Sequence, residues 1–272
     1  MTTGRLSYEL PAEGLRREFA LLALGDLTIK FGGLAALENV NMAVYDMDIV
    51  GLIGPNGAGK TTAFNIISGV YRPTTGQVLF QGRDITAMRP HHITRLGIAR
   101  TFQNIRLFRK MSVLDNVRVA YHHHNRAGLL SSIVRAGIFR SQERDITERA
   151  MQFLRLFDLD ARSRDEAGSL PYGQQRRLEI ARALATEPRL LLLDEPAAGM
   201  NSAETEQLME LISWVRDQFH LTVLLIEHDM RFVMGVCKSI TVLDHGRVIA
   251  SGTPDDVRSN PAVIEAYLGE AK

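Results

Sequence analysis

A glycine-rich run, Gly54-Pro55-Asn56-Gly57-Ala58-Gly59-Lys60-Thr61, fits the spacing G-x-x-x-x-G-K-[ST]. Residue types in that order favour one chemistry. Glycines let the backbone wrap tightly, so that consecutive N–H groups converge on phosphate oxygens. A helix opening at the end of the run turns its positive pole toward the same anion. Lys60 adds a point charge for the β- and γ-phosphates of ATP, and Thr61 offers its hydroxyl to Mg²⁺.

A second set of residues completes a hydrolytic centre. The apolar run Leu190–Leu193 ends in Asp194-Glu195. A buried parallel strand delivers carboxylates at its C-terminal edge, where α/β sheets bind ligands. Asp194 suits Mg²⁺, directly or through water, and Glu195 suits polarising the attacking water. Apolar runs ending in Asp-Glu are common, and this one gains meaning from the phosphate loop. His228 follows another strand-like run, Thr222–Ile226, and could reach the γ-phosphate from the same edge. Gln103 follows Arg100-Thr101-Phe102, where the α/β pattern gives way to a helical stretch.

The elements that must hold these groups are legible in part. Ile49–Ile53 reads as a buried strand feeding the loop. Ala63, Ile66, Ile67 and Val70 mark one face of a following helix, stopped by Pro73 and Gly76. Residues 21–47 alternate irregularly and suggest short strands and turns; Gln77–Ile85 suggests another strand. From about 104 to 169 the pattern turns helical. Ser112 can cap a helix through Val113, Leu114, Val117 and Tyr121. Ile146, Ala150, Phe153, Leu154 and Phe157 mark a second helix. The α/β pattern resumes with a helix over Gly173–Ala185. Asn201 with Glu204 resembles a capping box, and Ile240–Leu243 with Arg247–Ala250 reads as a hairpin about His245-Gly246. The expected organisation is an N-terminal extension over 1–20, an ATP-binding α/β core over 21–103 and 170–252, a helical subdomain over 104–169 and a helical tail over 253–272.

Composition bounds the partners. The 272 residues carry a net charge of +1 with 45% hydrophobic and 23% charged residues, which gives no broad basic field and disfavours nucleic acid. The single cysteine, Cys237, reads as a small buried hydrophobe. Charged residues interrupt 1–20, arguing against a signal peptide. No run approaches the ~18 apolar residues of a membrane span, so work at a membrane would require docking onto other chains. His91-His92 and His122-His123-His124 lack the spacing of a zinc site. Arg176, Arg177 and Arg182 on one helix suggest packing and surface charge rather than nucleic-acid binding.

In order, the phosphate loop, Gln103, Leu170-Pro171-Tyr172-Gly173-Gln174, Asp194-Glu195 and His228 resemble the nucleotide-binding subunit of ATP-binding-cassette (ABC) transporters, from about residue 21 to the end. The resemblance implies a phosphate-loop NTPase of the ABC type, with a mixed β-sheet core and an inserted α-helical subdomain. It implies that two such subunits sandwich two ATP molecules head to tail, the signature segment of one covering the γ-phosphate held by the other. Residues 54–61 and Thr62 would then bind nucleotide, with Phe31 stacked on adenine. Lys60, Gln103, Glu195 and His228 would act in catalysis; Thr61, Gln103 and Asp194 would serve the metal. Leu170, Tyr172, Gly173 and Gln174 would meet the partner's ATP, and Gln103–Phe108 would lie at the contact with the membrane subunit.

Two departures stand out. Pro171 replaces the serine of L-S-G-G-Q, removing a hydroxyl and an N–H, and Asn201 stands where the family often has Asp. Arg100-Thr101-Phe102-Gln103, Tyr172–Arg182, Asp194–Gly199, Glu227-His228-Asp229-Met230 and Asn260–Gly269 are closely similar to the larger ATPase subunit of branched-chain amino acid importers. That branch implies a second, often non-identical ATPase, integral permease subunits, an external solute-binding protein, and a peripheral place on the cytoplasmic face of the inner membrane. The ATPase of a lipopolysaccharide exporter or of an amide/urea importer shares much of this core, and a soluble ABC protein is the alternative from another class.

Overall fold

The computed structural model describes residues 20–121 and 136–268. The expected N-terminal extension, apart from Ala20, and the His122–His124 run lie outside the described residues. In chain order, β1 (Leu22–Phe31) and β2 (Leu34–Val44) precede β3 (Ile49–Ile53), the glycine-rich loop and α1 (Lys60–Ile67). Then come β4 (Thr75–Phe80), β5 (Arg83–Asp84), α2 (Pro90–Arg95) and β6 (Ile98–Arg100). Helices α3 (Val113–Tyr121) and α4 (Ala136–Leu156) follow, then α5 (Tyr172–Leu184), β7 (Leu190–Asp194), α6 (Ser202–Phe219), β8 (Thr222–Ile226) and α7 (Met230–Val236). The hairpin β9 (Ser239–Asp244) and β10 (Arg247–Gly252) leads to α8 (Pro254–Arg258) and α9 (Pro261–Leu268).

The strands form two sheets. One is mixed, ordered β10-β9-β3-β8-β7-β6, parallel except for the β9–β10 pair. The other is antiparallel, ordered β2-β1-β4-β5. The central strands β3, β7 and β8 are buried at every position and apolar but for Thr222 and Asp194, because each face meets a different core. Ile49, Ile53, Leu191, Leu193, Val223 and Leu225 pack into a cluster with α3 to α7. Val50, Leu52, Leu190, Leu192, Leu224 and Ile226 pack into the other, with α1 and the antiparallel sheet. Covering both faces turns the period of two into an unbroken apolar run.

Several local expectations need correction. The stretch 21–47 forms two long paired strands rather than short ones. Bulges between Leu24 and Lys30, with Asp26 and Asn39 at positive φ, break the alternation that would have revealed them. The helix after the loop ends at Ile67, so Val70 lies beyond it and is exposed. Its stop is Gly69 at φ +74, where Gly69 N–H reaches Ile66 O and Val70 N–H reaches Asn65 O, a Schellman closure. The strand expected over Gln77–Ile85 is a two-strand turn about Gln81-Gly82. Between residues 104 and 169, the described residues hold α3, α4, two 3₁₀ turns and a lone bridge, Ser112 to Glu166. Their apolar faces, including Val117, Leu154 and Phe157, join the same cluster as the parallel strands.

Candidate functional site

Four parallel strands deliver the candidate residues to one edge. β3 runs into the glycine-rich loop, neighbouring β8 ends before Glu227-His228, β7 ends in Asp194-Glu195, and β6 runs into Thr101-Phe102-Gln103. Sheet order thus gathers residues spread over 170 positions of sequence.

The loop is built for close backbone approach. Gly54 sits at φ +144, and a Cβ there would lie 1.9 Å from Leu243 O, so no other residue fits. Gly59, also at positive φ, caps α1, whose first residues are Lys60, Thr61 and Thr62. The Lys60 ammonium is buried and donates to Gly54 O at 2.6 Å and Pro55 O at 2.7 Å, so it lies inside the loop's curl. Asn56 and Gly57 are exposed at the rim, whereas Pro55 and Ala58 are buried.

Glu195 lies just past the end of β7. Its backbone has φ +47, a left-handed setting unusual for a residue with a Cβ and costing on the order of 1 kcal/mol. The surroundings over-determine it. Its N–H donates to Ile226 O at 2.9 Å, and its carbonyl accepts from Ala198 N–H at 3.2 Å. Gln103 Nε2 donates to its Oε2 at 2.8 Å, and His228 Nδ1 lies 4.0 Å from the same oxygen. Gln103, Glu195 and His228 therefore meet at one carboxylate oxygen. The bond to Glu195 fixes the Gln103 amide nitrogen and turns its oxygen away. A Thr61 hydroxyl, that amide oxygen and the Asp194 carboxylate are hard oxygen donors of the kind Mg²⁺ takes.

Asp194 is buried and has a cationic neighbour that sequence reasoning passed over: Arg100 NH2 donates to its Oδ2 at 2.8 Å. The guanidinium is fixed by Asn65 Oδ1 and Ser68 Oγ at 2.8 and 2.9 Å and packs on the Phe64 and Phe102 rings. Glu227, fully buried, was also passed over. Its carboxylate accepts from Ala197 N–H at 2.7 Å and His228 N–H at 3.1 Å, joining the two loops that carry Glu195 and His228. Burial pushes the Glu227 carboxyl up, against those bonds, which favour its charge. The adjacent Glu-His and Arg-Thr-Phe-Gln strings were the available signals.

Phe31, 48% exposed at the end of β1, packs edge-on against Tyr71 with ring centres 5.4 Å apart. The β1–β2 hairpin abuts the phosphate loop, since Ala36 O stands where a Cβ on Gly59 would be at 2.6 Å. The signature residues divide. Pro171 caps α5 without a side-chain acceptor, and Tyr172, Gly173 and Gln174 form its first turn. Tyr172 donates its hydroxyl to Ala198 O at 2.9 Å. Leu170, by contrast, is buried in the core cluster, and its carbonyl accepts from Gln175 Nε2 at 2.7 Å. Gln174 lines a cleft of about 220 Å³ between α5 and α6. Asn201 caps α6 in a full capping box with Glu204. Arg176, expected to serve packing and surface charge, is wholly buried and ion-paired to Glu179. Cys237 is buried against Gly51, its thiol pushed up to about 12 by desolvation. Among the described residues, no group of His, Cys, Asp and Glu is arranged to hold a metal by itself.

A glycine-rich phosphate loop, a strand-end carboxylate pair and a mixed sheet define a phosphate-loop nucleoside-triphosphatase. The ABC transporter family model matches residues 37–198, and that of the branched-chain amino acid ATP-binding cassette transporters matches 247–272. The chain is 47% identical to the high-affinity branched-chain amino acid transport ATP-binding protein LivG of Escherichia coli K12, over 92% of this chain and 98% of that one. It is 36% identical to the lipopolysaccharide export ATP-binding protein LptB of Acidithiobacillus ferridurans, over 86% and 90%. Among solved structures, the ADP conformation of an ABC transporter cassette superposes with a TM-score of 0.80 at 31% identity, over 92% of this chain and 99% of that one. A dimeric post-hydrolysis cassette bound to ADP and Pi gives 0.72 at 27%, over 86% and 98%. The chain belongs to the ATP-binding subunits of ABC transporters, in their branched-chain amino acid branch. It binds and hydrolyses ATP, and none of its described helices is long and apolar enough to cross a membrane.

Proposed function

We propose that this chain energises import of branched-chain amino acids, as one of two cassettes bound to membrane-spanning subunits at the cytoplasmic face. One observation carries the catalytic part: Glu195 is held in a left-handed backbone with Gln103 on its carboxylate and His228 beside it, at the sheet edge that also bears the phosphate loop. In this reading the loop N–H groups and Lys60 hold the β- and γ-phosphates. Phe31 stacks on adenine. Glu195 accepts a proton from the attacking water. Gln103 orients that water against Glu195, and His228 donates to the γ-phosphate. Thr61, Asp194 and Gln103 would hold Mg²⁺, which when bound offsets charge on the phosphate oxygens. The α5 N-terminus, with Tyr172, Gly173 and Gln174, meets the partner's γ-phosphate, and the described part of 104–169 meets the membrane subunit.

The branch assignment is supported by the family match over 247–272, outside the catalytic strings, and by the lower identity to the lipopolysaccharide relative. The test is uptake of labelled leucine, isoleucine and valine in cells carrying either this chain or its Glu195→Gln variant. Loss of uptake in the variant, with ATP affinity retained, is expected. Equal uptake from both would refute the assignment.

A further inference from the structure

Arg176 and Glu179 are withdrawn from solvent, at 0% and 1% side-chain exposure, and are joined at 2.8 Å one turn apart on α5. Burying an ion pair costs desolvation that packing alone does not require, so where the pair spends its remaining hydrogen bonds is informative. Arg176 NH1 donates to Phe102 O at 3.0 Å, and NH2 to Gln103 O at 3.1 Å. NH2 also lies 3.5 Å from Glu195 O and 3.4 Å from the Tyr172 hydroxyl. Glu179 Oε1 accepts from Arg106 N–H at 3.0 Å. Outside α5, every hydrogen-bond partner of the pair among the described residues thus lies in 102–106 or at Glu195.

A guanidinium presents its donors in a rigid planar fork. Here the fork pins the backbone of Gln103 on one side, while Glu179 pins Arg106 on the other. The segment whose side chain touches the Glu195 carboxylate is therefore fastened at both ends to one helix. That helix begins with the signature residues. Its first residue, Tyr172, reaches Ala198 O, three positions beyond Glu195.

We propose that Arg176 and Glu179 are positioning residues that join the signature segment to this chain's own Gln103–Glu195 pair. Displacement of the α5 N-terminus by the partner's nucleotide would then move the Gln103 backbone with it. The first half, fixation of Gln103 and Glu195, concerns one chain. The second rests on the composite-site reading above.

Arg176→Lys keeps the charge beside Glu179 but cannot fork to two carbonyls. Glu179→Gln keeps an acceptor for Arg106 N–H but strands the guanidinium. Melting curves give the folded fraction, a fluorescent ATP analogue gives affinity, and steady-state hydrolysis gives kcat per folded molecule. Affinity within twofold of the parent, with kcat lowered at least tenfold, is expected for Arg176→Lys. Recovery of full kcat per folded molecule would reduce the pair to a stabilising contact and overturn the proposal.

Should Arg176→Lys fail to fold, Tyr172→Phe probes the same connection from the exposed end; a kcat three- to tenfold lower at unchanged melting temperature is expected, and an unchanged kcat counts against the joint. Light scattering of Glu195→Gln with ATP tests the composite site separately. A dimer there together with parental kcat in Arg176→Lys defeats the joint alone. Absence of a dimer defeats the second half, and the affinity–kcat split still decides the first.

Discussion

Arg100 sets the electrostatics of Asp194. The pair is buried on both sides, at 7% and 5% side-chain exposure. Removing one member of such a pair strands the other, typically at about 3–5 kcal/mol. Arg100→Met is therefore expected to lower the melting temperature markedly. A divalent cation that binds the uncompensated Asp194 in the folded state alone should restore part of the loss by mass action. Parallel melts with and without Mg²⁺ check this; equal Mg²⁺ effects on parent and variant would show that Asp194 faces no cation site. At this scale the sequence was informative where residue type and spacing are both constrained, as in 54–61. It was silent on the buried partners of Arg100, Arg176 and Glu227, because a buried partner is a property of three dimensions. Nothing in the local pattern separates Arg176, at 0% exposure, from its neighbour Arg177, which reaches Gln207 near the surface.

Strands β3 and β8 occupy the residues expected, and β7 adds only Asp194. Their unbroken apolar runs follow from a core on each face, which is a strong local signal. β6 was missed because three residues after Gly97 carry no period, and α2 because six residues make little more than one turn. The Asn201 cap was legible, since its two side-chain bonds and the returning Glu204 carboxylate are local to four residues. That geometry accounts for Asn here without appeal to a partner. Asn201→Ala is expected to cost about 1 kcal/mol, or a melting shift of about 2–4 °C for a domain of this size. Asn201→Asp should be nearly neutral. A loss for Asp equal to that for Ala would show that Asn201 acts elsewhere than in the cap.

Taken whole, the sheet separates two cores, and the helical stretch that includes α3 and α4 shares one of them with the parallel strands. The segment between β6 and α3 lies at this junction and presents Phe108, 49% exposed, beneath the Arg182 guanidinium. Arg106 covers the Phe102 ring at 4.1 Å from its centroid. An exposed aromatic beside cations suits a partner surface better than a lone folded chain. Replacing Arg106 and Phe108 together by Ala should leave ATP binding by the isolated chain within about twofold while abolishing amino-acid uptake; normal uptake would remove this segment from the membrane contact.

The turn at His245-Gly246 has a wider consequence. Gly246 N–H donates to Ala58 O in the phosphate loop, and Gly246 O accepts from Glu38 N–H in β2. Arg247 adds an ion pair to Glu38 at 2.7 Å. The arm that carries Phe31, the loop that grips phosphate and the strand leading to the C-terminal helices thus share a single pivot. In the reading proposed above, with Phe31 on adenine and residues 54–61 on phosphate, the two ends of the nucleotide pocket keep their spacing because one glycine turn is dovetailed into both the arm and the loop.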